Sequence, residues 1–122
     1  MKAADYRKRA TSEHQLQATV LGHLRLHAVP EAFWFAIPNA GLRSFGMAAR
    51  MKAEGLTAGI ADICIMLEGG RTLWLELKSG KGRQSDYQKG FQAICDRIGH
   101  TYILAHNLDE AMKQLKAFGA LK

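Results

Sequence analysis

Little in this sequence points to a membrane, a disulfide framework or a secretory route. No apolar run approaches the roughly 18 residues that a membrane-spanning helix requires. The opening residues, Met-Lys-Ala-Ala-Asp-Tyr-Arg-Lys-Arg, are charged at once and lead into no apolar core, so a signal peptide is not expected and a cytoplasmic location is. The two cysteines, Cys64 and Cys95, lie far apart, one in a strand-like run and one on an apolar helix face. Neither their number nor their spacing suits a zinc site or a disulfide, and both read as buried free thiols. The two prolines, Pro30 and Pro38, punctuate the chain without forming a linker, and there is no repeat or low-complexity tract. One domain in 122 residues follows, with room for a real core. The histidines carry no metal pattern: His23 and His27 are four apart, but no Glu follows His23 as the zinc-protease motif requires. They read as helix-surface residues.

What the chain has in excess is positive charge. Lys and Arg number 17 against 11 Asp and Glu, a formal net charge of +6 with pI about 9.6. That balance favours a polyanionic partner without identifying one, since many small soluble proteins are also basic. Residues 1–10 carry Lys2, Arg7, Lys8 and Arg9 with little to bury, and are expected as a flexible basic arm ahead of a single domain at 11–122. Ser12 with Gln15 matches a capping box, and Leu16, Val20, Leu21 and Leu24 recur at helical spacing, predicting a helix to about His27. Phe33–Ile37, aromatic and bounded by prolines, reads as a strand. A helix is expected from about Arg43 to Glu54, ended by Gly55. Ser85 with Gln88 caps a helix bearing Tyr87, Phe91, Ile94, Cys95 and Ile98, closed by Gly99. Thr101–Ala105 reads as a strand reached by a helical crossover, and therefore as a parallel one. Asn107 with Glu110 opens a last helix. The sum is an α/β fold.

The chemistry concentrates between Gly59 and Lys78. Gly-Ile-Ala-Asp-Ile-Cys-Ile-Met-Leu, a Glu-Gly-Gly-Arg turn and Thr-Leu-Trp-Leu-Glu-Leu-Lys form a β-hairpin whose apolar runs contain three charges, Asp62, Glu76 and Lys78. Alternation puts Leu73, Leu75 and Leu77 on one face and Trp74, Glu76 and Lys78 on the other. Pairing across the turn can bring Asp62 toward Glu76 and Lys78. Two carboxylates, with the Leu77 backbone carbonyl between Glu76 and Lys78, supply the hard oxygen donors that suit Mg²⁺ or Mn²⁺. Such an ion acidifies bound water and neutralises charge on a phosphate, and Lys78 can orient that water or hold a phosphate oxygen. The implied reaction is phosphodiester hydrolysis. The following Ser-Gly-Lys-Gly-Arg-Gln stretch lacks the Walker spacing, so no nucleotide cofactor is expected, and it reads as a mobile loop whose Lys81 and Arg83 face backbone phosphates. Glu13 and Gln88 have structural explanations of their own, one complementing a helix dipole and the other completing a cap.

Asp62 followed by Glu76-Leu77-Lys78 resembles the PD-(D/E)XK nuclease signature. The surroundings are similar to one branch, the virus-type replication-repair nuclease (VRR-NUC) domain: Glu13-His-Gln-Leu-Gln17, Pro38-Asn39-Ala-Gly41-Leu-Arg43, Gly55-Leu-Thr-Ala-Gly59-Ile-Ala-Asp62 and Ser85-Asp-Tyr-Gln88. Ala61 stands where the family's proline is usual and Ala40 where a second glycine is common; both concern backbone shape. The resemblance implies a restriction-endonuclease-like core with a mixed central sheet flanked by helices, and a Mg²⁺- or Mn²⁺-dependent DNA nuclease. It implies Asp62 and Glu76 as metal ligands, Lys78 as the catalytic lysine and Glu13 and Gln88 as supporting residues, Glu13 also a candidate ligand. Asn39 and Arg43 join Lys81 and Arg83 as candidates for nucleic-acid contact. Homodimers acting on branched DNA such as four-way junctions are the implied context. A non-catalytic DNA-binding module of the same fold, or an RNA or nucleotide phosphohydrolase, are the alternatives.

Overall fold

The computed structural model describes residues 3–38, 49–50 and 52–122, with side chains from Ser12 onward. Four strands form a single mixed sheet in the order β1 (Phe33–Ala36), β2 (Ile63–Met66), β3 (Thr72–Leu77), β4 (Thr101–Ala105). The β1–β2 and β2–β3 pairs are antiparallel and β3–β4 is parallel, as the crossover through helix α2 (Asp86–Ile98) requires. Ile63 pairs with Leu75 and Leu75 with Ile103, so one face of the sheet is a continuous aliphatic layer. Helices α1 (Ala3–His27) and α3 (Leu108–Ala117) cover that face with Val20, Leu24, Ala111 and Leu115, all fully buried. Burying each such Leu contributes roughly 1.5–3 kcal/mol, which makes this layer the main source of stability.

The opposite face is mixed in character. Trp74 and Tyr102 are register partners there, and Phe91 of α2 meets both edge-on at ring-centroid distances of 5.4 and 6.0 Å. This aromatic contact seats α2 over β3 and β4. Both cysteines are free and buried, as expected. The tail closes the other layer: Val29 N–H donates to the Ala120 carbonyl at 2.9 Å, and Lys122 N–H to that of His27 at 2.8 Å. Among the described residues no helix is long and apolar enough to cross a membrane.

Helix α1 begins at Ala3, so residues 3–10, expected as an arm, are helical, and Ser12 lies inside the helix rather than capping it. Ala, Arg and Lys are strong helix formers and no Gly or Pro interrupts them, so the backbone runs through the candidate cap. The helix expected over 43–54 is described only in part: residues 49, 50, 52 and 53 are helical, with an exposed Arg50–Glu54 ion pair at 3.1 Å, and the rest lies outside the described residues. The caps at Ser85 and Asn107 form as expected.

Gly59 joins the approach to β2 to the start of α2. Its φ is +78°, and a Cβ there would lie 2.5 Å from the backbone carbon of Tyr87 and 2.7 Å from the nitrogen of Gln88. Gly69, at φ +75° in the hairpin turn, has open space around it. Gly59→Ala is therefore expected to cost about 2–4 kcal/mol, combining left-handed strain with overpacking, and Gly69→Ala only about 1–2 kcal/mol. Urea denaturation of the two variants checks this; equal losses would contradict the close approach.

Candidate active site

Glu76 is the only buried charged or polar residue among those described, at 2% exposure, in the middle of the leucine-rich strand β3. Its neighbours Leu75 and Leu77 point into the aliphatic layer, so alternation turns the carboxylate toward α2. There Gln88 donates from Nε2 to Glu76 Oε1 at 2.7 Å, and Lys78 Nζ stands 3.6 Å from the same oxygen. Asp62 enters from the other strand of the hairpin. Its N–H bonds to the Leu75 carbonyl at 3.0 Å, and its Oδ2 accepts the Leu77 N–H at 2.7 Å. The two carboxylates thus converge across one hairpin rung, as pairing through the turn predicts.

Placing two acids together out of water shifts both upward. Burial pushes the Glu76 carboxyl up to about 8, reinforced by the Asp62 charge, while Lys78 opposes the shift. Burial also raises Asp62, against the Leu77 N–H and Lys78, which favour its charged form. Both carboxyls therefore resist ionisation, and their titration belongs to the pair.

The other sequence-derived candidates divide into three groups. Gln88 does double duty, since its Oε1 accepts the Ser85 N–H at 2.7 Å in the capping box while its amide nitrogen reaches Glu76. Glu13 reaches the rim from α1, where its Oε1 accepts from Ser79 N–H at 3.4 Å, and its charge is felt by Asp62 and Glu76. Lys81 and Arg83 are exposed beyond the end of β3. Asn39 and Arg43 lie outside the described residues.

Among the described residues no three His, Cys, Asp or Glu side chains form a group that could hold a metal. The Glu13 carboxylate reaches the backbone after Lys78. One expectation needs correction. The segment after Lys78, read as mobile, is a folded turn: Gly82 is buried, its N–H donates to the Ser79 carbonyl at 2.8 Å, and Gln84 Nε2 bonds Gln92 Oε1 at 2.9 Å and Tyr102 Oη at 3.1 Å. Gln84, Gln92 and Tyr102 are the residues near the site that spacing does not reveal. Their only sequence signal is that Gln84 immediately precedes the α2 cap.

The donor set suits a hard divalent cation. Asp62, Glu76 and the adjoining Leu77 peptide offer oxygen, and the two neighbouring acids raise each other's demand for positive charge. Mg²⁺ and Mn²⁺ fit that chemistry.

Sheet order, crossover and the paired carboxylates with a lysine at the end of β3 define an α/β protein of the restriction-endonuclease-like fold. Among solved structures, the chain is similar to one titled "VRR_NUC domain protein", with TM-score 0.70 and 19% sequence identity over 86% of this chain and 85% of that one. The sequence matches no family model and no curated protein.

The raised Glu76 carboxyl makes stability depend on pH. A Glu in the unfolded chain titrates near 4.5 and Glu76 in the fold near 8, so between these values the folded state holds a proton that the unfolded state has lost. Stability of the metal-free protein is then greatest at the acidic end of that window and falls as pH rises, by up to about 1.4 kcal/mol per pH unit. Urea denaturation across the window measures it. Glu76→Gln is expected to flatten the dependence, and a wild-type curve that is flat or rises with pH would contradict the assignment.

Proposed function

We propose that this chain is a Mg²⁺- or Mn²⁺-dependent nuclease that hydrolyses DNA phosphodiester bonds. The observation that carries the reading is the pairing of Asp62 with buried Glu76 beside Lys78, followed in the chain by exposed Lys81 and Arg83. Likeness in fold to a VRR_NUC domain protein supports it. The net charge of +6 suits a polyanionic substrate.

Asp62, Glu76 and the Leu77 carbonyl would hold the divalent cation, which would supply an acidified water molecule and offset negative charge on the phosphate undergoing attack. Water attacks phosphorus in line, the P–O bond to the leaving sugar oxygen breaks, and the products are a phosphomonoester and a hydroxyl. Lys78, half-buried and anchored by Glu76, presents its ammonium to the attacking water or to a non-bridging oxygen as charge accumulates there. Gln88 keeps Glu76 oriented. Its amide cannot flip without losing the Ser85 N–H, so the donor side stays on Glu76 Oε1. Lys81 and Arg83 take neighbouring backbone phosphates.

The finer reading is an endonuclease acting on branched DNA as a homodimer, because two active sites related by a two-fold axis match a symmetric four-way junction. Plasmid and four-way-junction substrates incubated with Mn²⁺, Mg²⁺ or EDTA test both levels, with a matching RNA as competitor. Cleavage is expected with either ion and none with EDTA. Lys78→Ala is expected to lower the rate by about 10²-fold or more, and Gln88→Ala by about 10-fold or more through the misoriented carboxylate. No cleavage of any substrate, or a Lys78→Ala rate equal to wild type, would overturn the proposal.

A further inference from the structure

The turn between β3 and α2 is fixed from three sides. At its start Lys78 N–H still donates to the Ala105 carbonyl of β4 at 2.9 Å, and Ser79 N–H meets Glu13 Oε1 of α1 at 3.4 Å. In its middle Gly82 packs inward, where a Cβ would lie 3.0 Å from the Ser79 carbonyl oxygen, 3.3 Å from Glu13 Oε1 and 3.4 Å from Lys78 Cβ. At its end Gln84 spreads one amide nitrogen between Gln92 of α2 and Tyr102 of β4. Tyr102 is itself held edge-on by Phe91. Between these anchors Lys81 and Arg83 stand exposed on either side of buried Gly82, and among the described residues neither makes a hydrogen bond or ion pair.

An ordinary surface loop would leave two such cations on a mobile backbone, and ordering it on a ligand would weaken binding. Here the backbone is ordered at its near end by Glu13 and at its far end by the uncharged Gln84, Gln92 and Tyr102. We propose that Gln84, with Gln92 and Tyr102, is a positioning residue that holds Lys81 and Arg83 as a preorganised clamp for the phosphate backbone of the strand that enters the site. This rests on the nuclease reading for the identity of the strand, but the clamp itself is a binding device and does not depend on cleavage. Glu13 and Gly82 set the near end of the clamp, and the Gln84 network sets the far end.

Fluorescence anisotropy of metal-free protein on labelled duplex DNA, at stepped KCl concentrations, separates positioning from mere stability. Lys81→Ala with Arg83→Ala is expected to reduce the slope of log affinity against log salt by about 2, since each phosphate no longer neutralised removes about 0.9 from it. Gln84→Ala, which removes two hydrogen bonds, is expected to weaken binding by about 5-fold or more. In the Lys81→Ala/Arg83→Ala background the same change is expected to add nothing, because the groups it positions are gone. Tyr102→Phe, which keeps the ring against Phe91, is the second variant and is expected to act in the same direction. Thermal melts confirm that each variant is folded at the assay temperature. Full additivity of Gln84→Ala with the double variant, wild-type affinity in Gln84→Ala and Tyr102→Phe, or an unchanged salt slope on removal of the two cations would each overturn the proposal. The same preparations are assayed for plasmid cleavage with Mn²⁺: absence of cleavage with the coupled binding loss intact removes the nuclease reading and leaves the clamp, and cleavage with additive losses does the reverse.

Discussion

The close pairing of the Glu76 and Asp62 carboxyls is the constraint on which the rest of the site depends. A carboxyl buried in the middle of a leucine strand is destabilising unless something compensates it, and three groups here do so: the Gln88 amide, the Lys78 ammonium and the Asp62 carboxylate. Each comes from a different place in the chain. The hairpin brings Asp62, the end of β3 brings Lys78, and the crossover helix α2 brings Gln88. The sheet's aliphatic face provides the stability that lets the opposite face keep a buried carboxyl beside a second acid and a lysine.

Helix α2 is the element that converts fold into site. Its position is set by Phe91 on Trp74 and Tyr102, and by Gly59 pressing against the backbone of Tyr87 and Gln88. Its first turn is fixed by the Ser85 capping box, which also determines which end of the Gln88 amide faces Glu76. A displacement of α2 would release Gln88 from Glu76 and Gln92 from Gln84 together. The carboxylate pair and the cationic turn are thus mechanically linked through one helix.

Much of this was legible in the sequence because it depended on local rules. Alternation along β3 assigned Leu73, Leu75 and Leu77 to one face and Glu76 to the other, turn residues located the hairpin, and the Ser85 and Asn107 boxes marked two helix starts. The parallel pairing of β3 with β4 followed from the length of the connection. What was not legible depended on contacts between distant segments. Ser12 looked like a cap because its pattern is a cap's, yet nothing upstream breaks the helix, so propensity carried α1 back to Ala3. The Ser79–Gln84 turn looked mobile because glycines and cations make mobile loops, yet Gly82 is small for packing rather than for freedom. Glu13 could be placed near the site from the resemblance, but not its contact with the Ser79 N–H.

The central claim is that Asp62 and Glu76 form a carboxyl pair that resists ionisation until a divalent cation binds. Calorimetric titration of Mn²⁺ into the protein at pH 7, repeated in buffers of different ionisation enthalpy, tests it most directly, because it counts protons released as the cation binds. Saturable binding with release of about one proton per cation is expected, retained in Lys78→Ala and abolished in Glu76→Gln. Binding without proton release, or no binding heat at all, would contradict it.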